Sequence, residues 1–303
     1  MLKTNCGSVY RCLLCQCPES VLIQTGARHA PEVEVRRCTD CGLVFLWPRP
    51  TGEELRRYYA IGEVYHEEDG DPSVAKRYIT EMDEARVRVR RLLPLLKPDT
   101  RLLEVGSGSG AFLDAVRPYV SDLMGVEPNA PSRDLIRQQI RIPVVERVDD
   151  VLKEAKSFDL VALFHVLEHV PEPVRFLQDV ARLLRSDGRL VVEVPNVDDT
   201  LVAVYQIPAY LRFYYQKAHL YYFSTDTLML VFNQAGFDAT IEGIQRYNLS
   251  NHIRWMLTGK PGGQGYYNDI LLPSVHTAYA DALIRAGHSD TLWAIAQVSR
   301  EAR

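Results

Sequence analysis

The chain has 303 residues, of which 47% are hydrophobic, and a formal net charge of −4. That length holds one full α/β domain and a small appendage. No apolar run approaches the roughly 18 residues a membrane span needs, the N-terminal MLKTNCGSVYRC has no apolar signal-peptide core, and the acidic balance offers no global attraction to nucleic acid; a soluble, cytoplasmic protein is expected.

All six cysteines lie in the first 41 residues. Cys12-x2-Cys15 and Cys38-x2-Cys41 are two knuckle-type pairs separated by 22 residues. Two short turns can aim two sulfurs each at one ion, which suits a tetrahedral four-thiolate zinc site in a ribbon-like module over residues 1–47. Four thiolates leave no open coordination position, so a Zn2+ ion there is structural. Either Cys6 or Cys17 is an alternative ligand, although Cys15-x-Cys17 is tighter than knuckles use. A cytoplasmic setting argues against stable disulfides.

Residues 48–97 read as a helical linker. Pro48-Arg49-Pro50-Thr51-Gly52 interrupts regular structure, Glu53 to Ala60 reads as a short helix, and Glu67 to Pro72 as a solvated acidic turn. Ser73 is placed to cap a helix whose apolar face is Tyr78, Met82, Ala85, Val89, Leu92 and Leu96. Pro94 ends or kinks it.

Residues 98–303 then alternate strand and helix, which implies a mostly parallel sheet covered on both faces. Strands are predicted at 101–105, 122–127, 143–147, 158–164 and 189–195, with two more at 237–247 and 291–299. Insertions near 200–224 and 248–290 read as caps, the second long enough to be helical. The first strand runs into Leu102 to Gly110, LLEVGSGSG. An apolar run ends in Glu104, and Gly106, Gly108 and Gly110 follow at alternate positions. Glycine there lets the backbone approach a ligand, and the start of the next helix favours an anionic group. The second strand also ends in an acid, Glu127, which can accept both hydroxyls of a ribose.

Together with FDLVALF at 158–164, His165-Val166-Leu167-Glu168-His169 after it, and LVVEVPN at 190–196, these residues resemble a class I S-adenosylmethionine-dependent methyltransferase. The resemblance implies an α/β, Rossmann-like fold: a seven-stranded, mostly parallel sheet with helices on both faces, here with a small N-terminal zinc ribbon and helical cap insertions. It implies that Glu104, Gly106, Ser107, Gly108 and Gly110 wrap the methionine part of the cofactor. Glu127, with Pro128 beside it, takes the ribose, and His165 and Val166 lie near the amino group. The adenine contact follows the third strand, where Glu146 and Asp149 are both candidates and the sequence does not choose between them.

Eight aromatics fall within residues 205–223. Some are expected to stack on a substrate or shield a sulfonium, the rest only to pack. His219-Leu220-Tyr221-Tyr222-Phe223-Ser224 resembles the H-x-x-Y-F-S segment of zinc-containing sugar methyltransferases, such as nucleotide-deoxysugar C-methyltransferases, which also carry paired N-terminal cysteines. In them a Tyr-His-Glu-His run leads into the segment and its last histidine is the base; here Gln216-Lys217-Ala218-His219 keeps only that histidine. His219 is therefore the expected general base, with Tyr222 and His252 as further catalytic candidates. The missing glutamate weighs toward O-methylation over C-methylation. Arg246, Arg254 and Lys260 are available for the phosphates of a nucleotide sugar.

The expected activity is thus methyl transfer to a small molecule, most of all a sugar that is nucleotide-linked or belongs to a surface polysaccharide or natural product. An RNA methyltransferase docked through the zinc module is the first alternative. The acidic charge weighs against it, as does Phe164-His165-Val166-Leu167 in place of an Asn/Asp-Pro-Pro-Tyr/Phe run. The second alternative is a non-catalytic cofactor-binding scaffold.

Overall fold

The computed structural model describes residues 11–50, 52–60, 73–154 and 157–300. Cys6 and the acidic turn at 67–72 lie outside the described residues. Among those described, no helix is long and apolar enough to cross a membrane.

The chain divides into two compact units. One comprises residues 1–49, 195–231 and 242–292; the other comprises 50–194, 232–241 and 293–303. The first unit thus gathers the cysteine-bearing segment with both insertions, called here the cap unit. Its sheet begins with β1 (Ser20–Ala27), β2 (Ala30–Cys38) and β3 (Val44–Trp47), paired antiparallel in that order.

The second unit, the sheet unit, is built on β4 (Arg101–Val105), β5 (Asp122–Val126), β6 (Val144–Val145), β7 (Phe158–Phe164) and β8 (Leu184–Pro195). β4 pairs in parallel with β5 and β7, β5 with β6, and β7 with β8. Their runs are apolar without alternation and bury Leu102, Leu103, Val161, Ala162, Leu163, Val191 and Val192, as a sheet covered on both faces requires. The expected strand at 143–147 shortens to two residues at the sheet edge.

A fourth cap strand comes later in the chain: β9 (Tyr221–Tyr222) joins β3 antiparallel, with Val44 opposite Tyr222 and Phe45 opposite Tyr221. β10 (Phe237–Ile244) and β11 (Thr291–Val298) complete the seven-stranded sheet in the order β10-β11-β8-β7-β4-β5-β6. The insertions are helical, with Thr200–Ala203 and Pro208–Tyr214 in one and Leu249–Thr258 and Pro273–Ala286 in the other.

The helix Val74–Leu92 starts where Ser73 accepts a hydrogen bond from Lys76 N–H. It buries Ala85, Val89 and Leu92, and gives way to a 3-10 turn, Leu93–Leu95, around Pro94.

Candidate functional site

The glycine turn after β4 is held by its own backbone. Gly106 and Ser107 both donate to Val126 O, at 2.8 and 3.0 Å. Gly106 has φ +79°, and a Cβ there would sit 2.4 Å from Val166 Cγ2. Gly110 has φ +83°, and its Cβ would meet Ile136 and Ile140 side chains at under 3 Å. Only glycine satisfies both the dihedral and the close approach at these two positions.

Two acids converge on this turn. Glu127 is buried; its Oε2 accepts from Gly108 N–H at 2.7 Å and its Oε1 from Asn129 N–H at 2.8 Å. Burial pushes its carboxyl up to about 7, against the pull of those two N–H groups. Glu104 is buried too, and its Oε2 has no hydrogen-bond partner. Burial pushes it up to about 8, opposed by Arg88 and reinforced by Glu127 and Glu81. Pro128 O and Glu127 O accept from Arg133, which also meets Glu146 at 3.0 Å. Asp149 is bound to Arg147 instead, at 2.9 Å.

The loop after β7 presents His165 in a left-handed conformation, φ +53°. Its Nδ1 lies 3.2 Å from Glu168 Oε1 and its Nε2 3.1 Å from Glu193 Oε1. Arg88 grips the same Glu193 from the helix Val74–Leu92, at 2.8 and 3.1 Å. Burial would raise the Glu193 carboxyl, but His165 and Arg88 together hold it well below the usual range.

In the cap unit, Cys12, Cys15, Cys38 and Cys41 point their sulfurs at one spot, all within 4.8 Å of one another. Cys12 and Cys41 sulfurs are 3.5 Å apart, as are those of Cys15 and Cys38. That is far from a disulfide bond and near the separation of about 3.8 Å between thiolates around tetrahedral zinc. The two pairs make the same turn: Gln16 N–H donates to Cys12 O and Gly42 N–H to Cys38 O, and Gln16 and Gly42 both have positive φ. Burial raises the Cys38 thiol, yet the N–H groups of Cys41 and Asp40 together with the thiols of Cys15 and Cys12 bring it down to about 7. Cys17 faces elsewhere, toward Thr39 and Glu19.

His219 and Tyr222 lie side by side with ring centres 5.6 Å apart. Tyr222 is buried; its hydroxyl accepts from Gln216 N–H at 2.7 Å and donates to Gln216 O at 3.2 Å. His219 Nε2 is 2.8 Å from Gln216 Nε2. His252 belongs to a separate group on the helix Leu249–Thr258. Its Nδ1 meets Tyr279 OH at 2.9 Å, and burial lowers its ring to about 4, so it is neutral near pH 7. Of the eight clustered aromatics, Tyr215, Tyr221, Tyr222 and Phe223 are fully buried and Tyr205 is exposed. Arg254 is spent on Pro261 O and the Tyr266 ring.

The family model described as a methyltransferase domain matches residues 77–241, more than half of the chain. The chain belongs to the class I S-adenosylmethionine-dependent methyltransferases. Among curated proteins it is 28% identical to the ubiquinone biosynthesis O-methyltransferase of Coxiella burnetii over 101 residues, 31% of this chain and 43% of that one. It is 32% identical to a probable S-adenosylmethionine-dependent methyltransferase of Mycobacterium tuberculosis over 99 residues, 31% of this chain and 35% of the relative. The chain thus spans less than half the length of these relatives. Among solved structures it resembles a methyltransferase from Archaeoglobus fulgidus, with TM-score 0.51, 20% identity and coverage of 73% of this chain and 98% of that one. A chain from the complex of the Haloferax volcanii Trm112 methyltransferase activator with a methyltransferase gives TM-score 0.52 at 14% identity, covering 82% and 98%.

The methyltransferase's own residues fit S-adenosylmethionine. The buried, partnerless Glu104 Oε2 is an acceptor awaiting a donor, and a carboxylate such as Glu127 has acceptor capacity beyond its two N–H bonds. Other contributors were invisible in the sequence. Glu81 accepts from the Ser109 hydroxyl within the turn, Arg77 donates to Ser132 Oγ at 3.0 Å, and Arg88 and Arg133 hold Glu193 and Glu146. All lie on predicted helices, but helical periodicity does not say which loop a polar side chain reaches.

Proposed function

We propose that this methyltransferase moves the methyl group of S-adenosylmethionine to an oxygen of a small molecule, and that the acceptor is a sugar, nucleotide-linked in the first instance. One observation carries this reading. The two features shared with sugar methyltransferases, the cysteine pairs and the H-x-x-Y-F-S segment, are joined in one compact unit, with β9 inside that segment extending the sheet of the cysteine module. The relatives named for ubiquinone O-methyl transfer support oxygen over carbon.

S-adenosylmethionine, when bound, supplies an electrophilic methyl on a cationic sulfur. The S–C bond would break as the O–C bond formed, the acceptor's proton would pass to water, and S-adenosylhomocysteine would be left. Glu127 accepts the ribose hydroxyls, while Glu104 and the turn from Gly106 to Gly110, with Ser107 and Gly108, receive the methionine end. His165 and Val166 border the amino group, and Glu146, held by Arg133, is assigned to the adenine side. Cys12, Cys15, Cys38 and Cys41 hold one structural Zn2+. His219 is assigned to the acceptor, and Tyr222 and His252 support the cap around it.

The test is release of S-adenosylhomocysteine with a panel of nucleotide sugars, with structured RNA in parallel. Turnover with one sugar, and an O-methyl product by NMR, is the expected result. Turnover only with RNA would overturn the assignment.

A further inference from the structure

Arg28, Gln216 and His219 form a chain in which each member leaves the next no choice. Arg28 Nη2 donates to Gln216 Oε1 at 2.5 Å. A guanidinium has donors and no acceptor, so the amide oxygen must face it. The amide nitrogen is then turned to His219, with Gln216 Nε2 and His219 Nε2 2.8 Å apart. An amide NH2 only donates, so His219 Nε2 must accept with its lone pair. A neutral imidazole has one N–H, which therefore sits on Nδ1. Turning the amide over would set its NH2 against the guanidinium, donor against donor.

Arg28 is itself firmly placed. Its N–H donates to Tyr215 O at 2.7 Å, its carbonyl accepts from Lys217 N–H at 3.0 Å, and its guanidinium lies 4.3 Å over the Phe213 ring. Arg28 therefore orients Gln216, and Gln216 selects the tautomer of His219.

We propose that Arg28 and Gln216 are positioning residues that lock His219 as an Nδ1–H hydrogen-bond donor, so that it grips a substrate oxygen rather than removing a proton. This rests on the assignment of His219 to the acceptor. It replaces the general-base role expected from residue type, because a base needs an open lone pair and the Nε2 lone pair is taken up by Gln216. A carboxylate in place of this amide would accept from Nε2–H and leave the Nδ1 lone pair for a base; the glutamine does the reverse.

The tautomer is read directly from the imidazole 15N resonances of labelled protein, with His219 assigned by their loss in His219→Gln. The expected wild-type pattern is a protonated Nδ1 and an unprotonated Nε2 at neutral pH. Gln216→Glu should move a proton onto Nε2, and Arg28→Met should give a mixture, since the amide can then turn. A wild-type Nε2–H overturns the proposal, whatever the substrate is. Kinetics supply the second reading. His219→Gln keeps an N–H donor but cannot act as a base, so kcat should stay within about tenfold while KM rises; a fall in kcat of about 10²–10⁴-fold is what loss of a general base gives, and would sink the donor role. If no sugar is turned over, the functional reading fails while the resonances still decide the tautomer.

Discussion

Two buried acids, one in each unit, are held in opposite ways. Asp290 in the cap unit is saturated by its own chain. Its carboxylate accepts from the N–H groups of Arg246 and Tyr247, from the Gln245 amide and from the Thr291 hydroxyl. Glu104 in the sheet unit is as deeply buried, yet its Oε2 has no partner. Burying a polar atom without a partner costs about 1–3 kcal/mol, and a ligand that supplies the partner recovers it. Asp290 thus holds the shape of its own unit, while Glu104 keeps an acceptor that the proposed function gives to the cofactor.

The largest effect that would sharpen this contrast lies at the cysteines. Structural zinc contributes an apparent 10–16 kcal/mol or so to the folding of small metal modules. Cys12→Ser should reduce bound zinc from about one ion per chain to well below half. It should also remove hydrogen-exchange protection from β1 to β3. Cofactor affinity in the sheet unit should change by no more than a few-fold. Full zinc content in the variant would show that the four sulfurs are not the ligands.

Next in size is Asp290→Ala. It strands the N–H groups of Arg246 and Tyr247 together with the Gln245 amide. The expected loss is roughly 3 kcal/mol of stability by denaturant unfolding, with cofactor affinity preserved where the fold persists. Glu127→Ala should do the converse, weakening S-adenosylmethionine binding by about a hundredfold in calorimetry, near 2.7 kcal/mol, with little change in secondary structure. An unchanged affinity would remove Glu127 from the ribose.

How much of this was written locally explains what could be read in advance. The strand–glycine–helix run at 102–113 and the cysteine pairs are legible because their geometry is set by neighbours in sequence. β9 is not legible in the sequence, because a two-residue strand has no periodicity and its partner Val44–Phe45 lies far away in the chain. In the sequence Gln216 is only a departure from a family pattern. Its role depends on Arg28, a residue with no local signal, reached through a long-range backbone pairing. Glu146 and Asp149 could not be separated in sequence; each turns out to be bound to its own arginine.

The smallest effect is a pH slope, and its sign follows from the unfinished acids. Glu104 and Glu127 are raised by burial from 4.5 to about 8 and about 7. In the unfolded chain both titrate near 4.5. Between that value and about 8 the native state binds more protons, so the stability of the cofactor-free protein falls as pH rises through this window. His252 acts the other way: burial lowers it from 6.5 to about 4, so its contribution grows with pH up to about 6.5 and is then constant. Glu193, held well below its usual value, loses its contribution only as pH falls below about 4.5. The interval from pH 6.5 to 8 is therefore where the raised acids act without these two. Each titrating proton contributes at most about 1.4 kcal/mol per pH unit. Asp199, raised by burial to about 7, adds to the slope from the cap unit and stays in both proteins when Glu104→Gln is compared with wild type. Thermal unfolding across this interval should show a shallower decline in Glu104→Gln, since an uncharged amide has no proton to lose. Saturating S-adenosylmethionine should flatten the wild-type curve as well, because a donor reaching Glu104 favours its ionised form. Identical slopes in wild type and Glu104→Gln would mean that the partnerless oxygen carries no titration penalty, and the contrast with Asp290 would collapse.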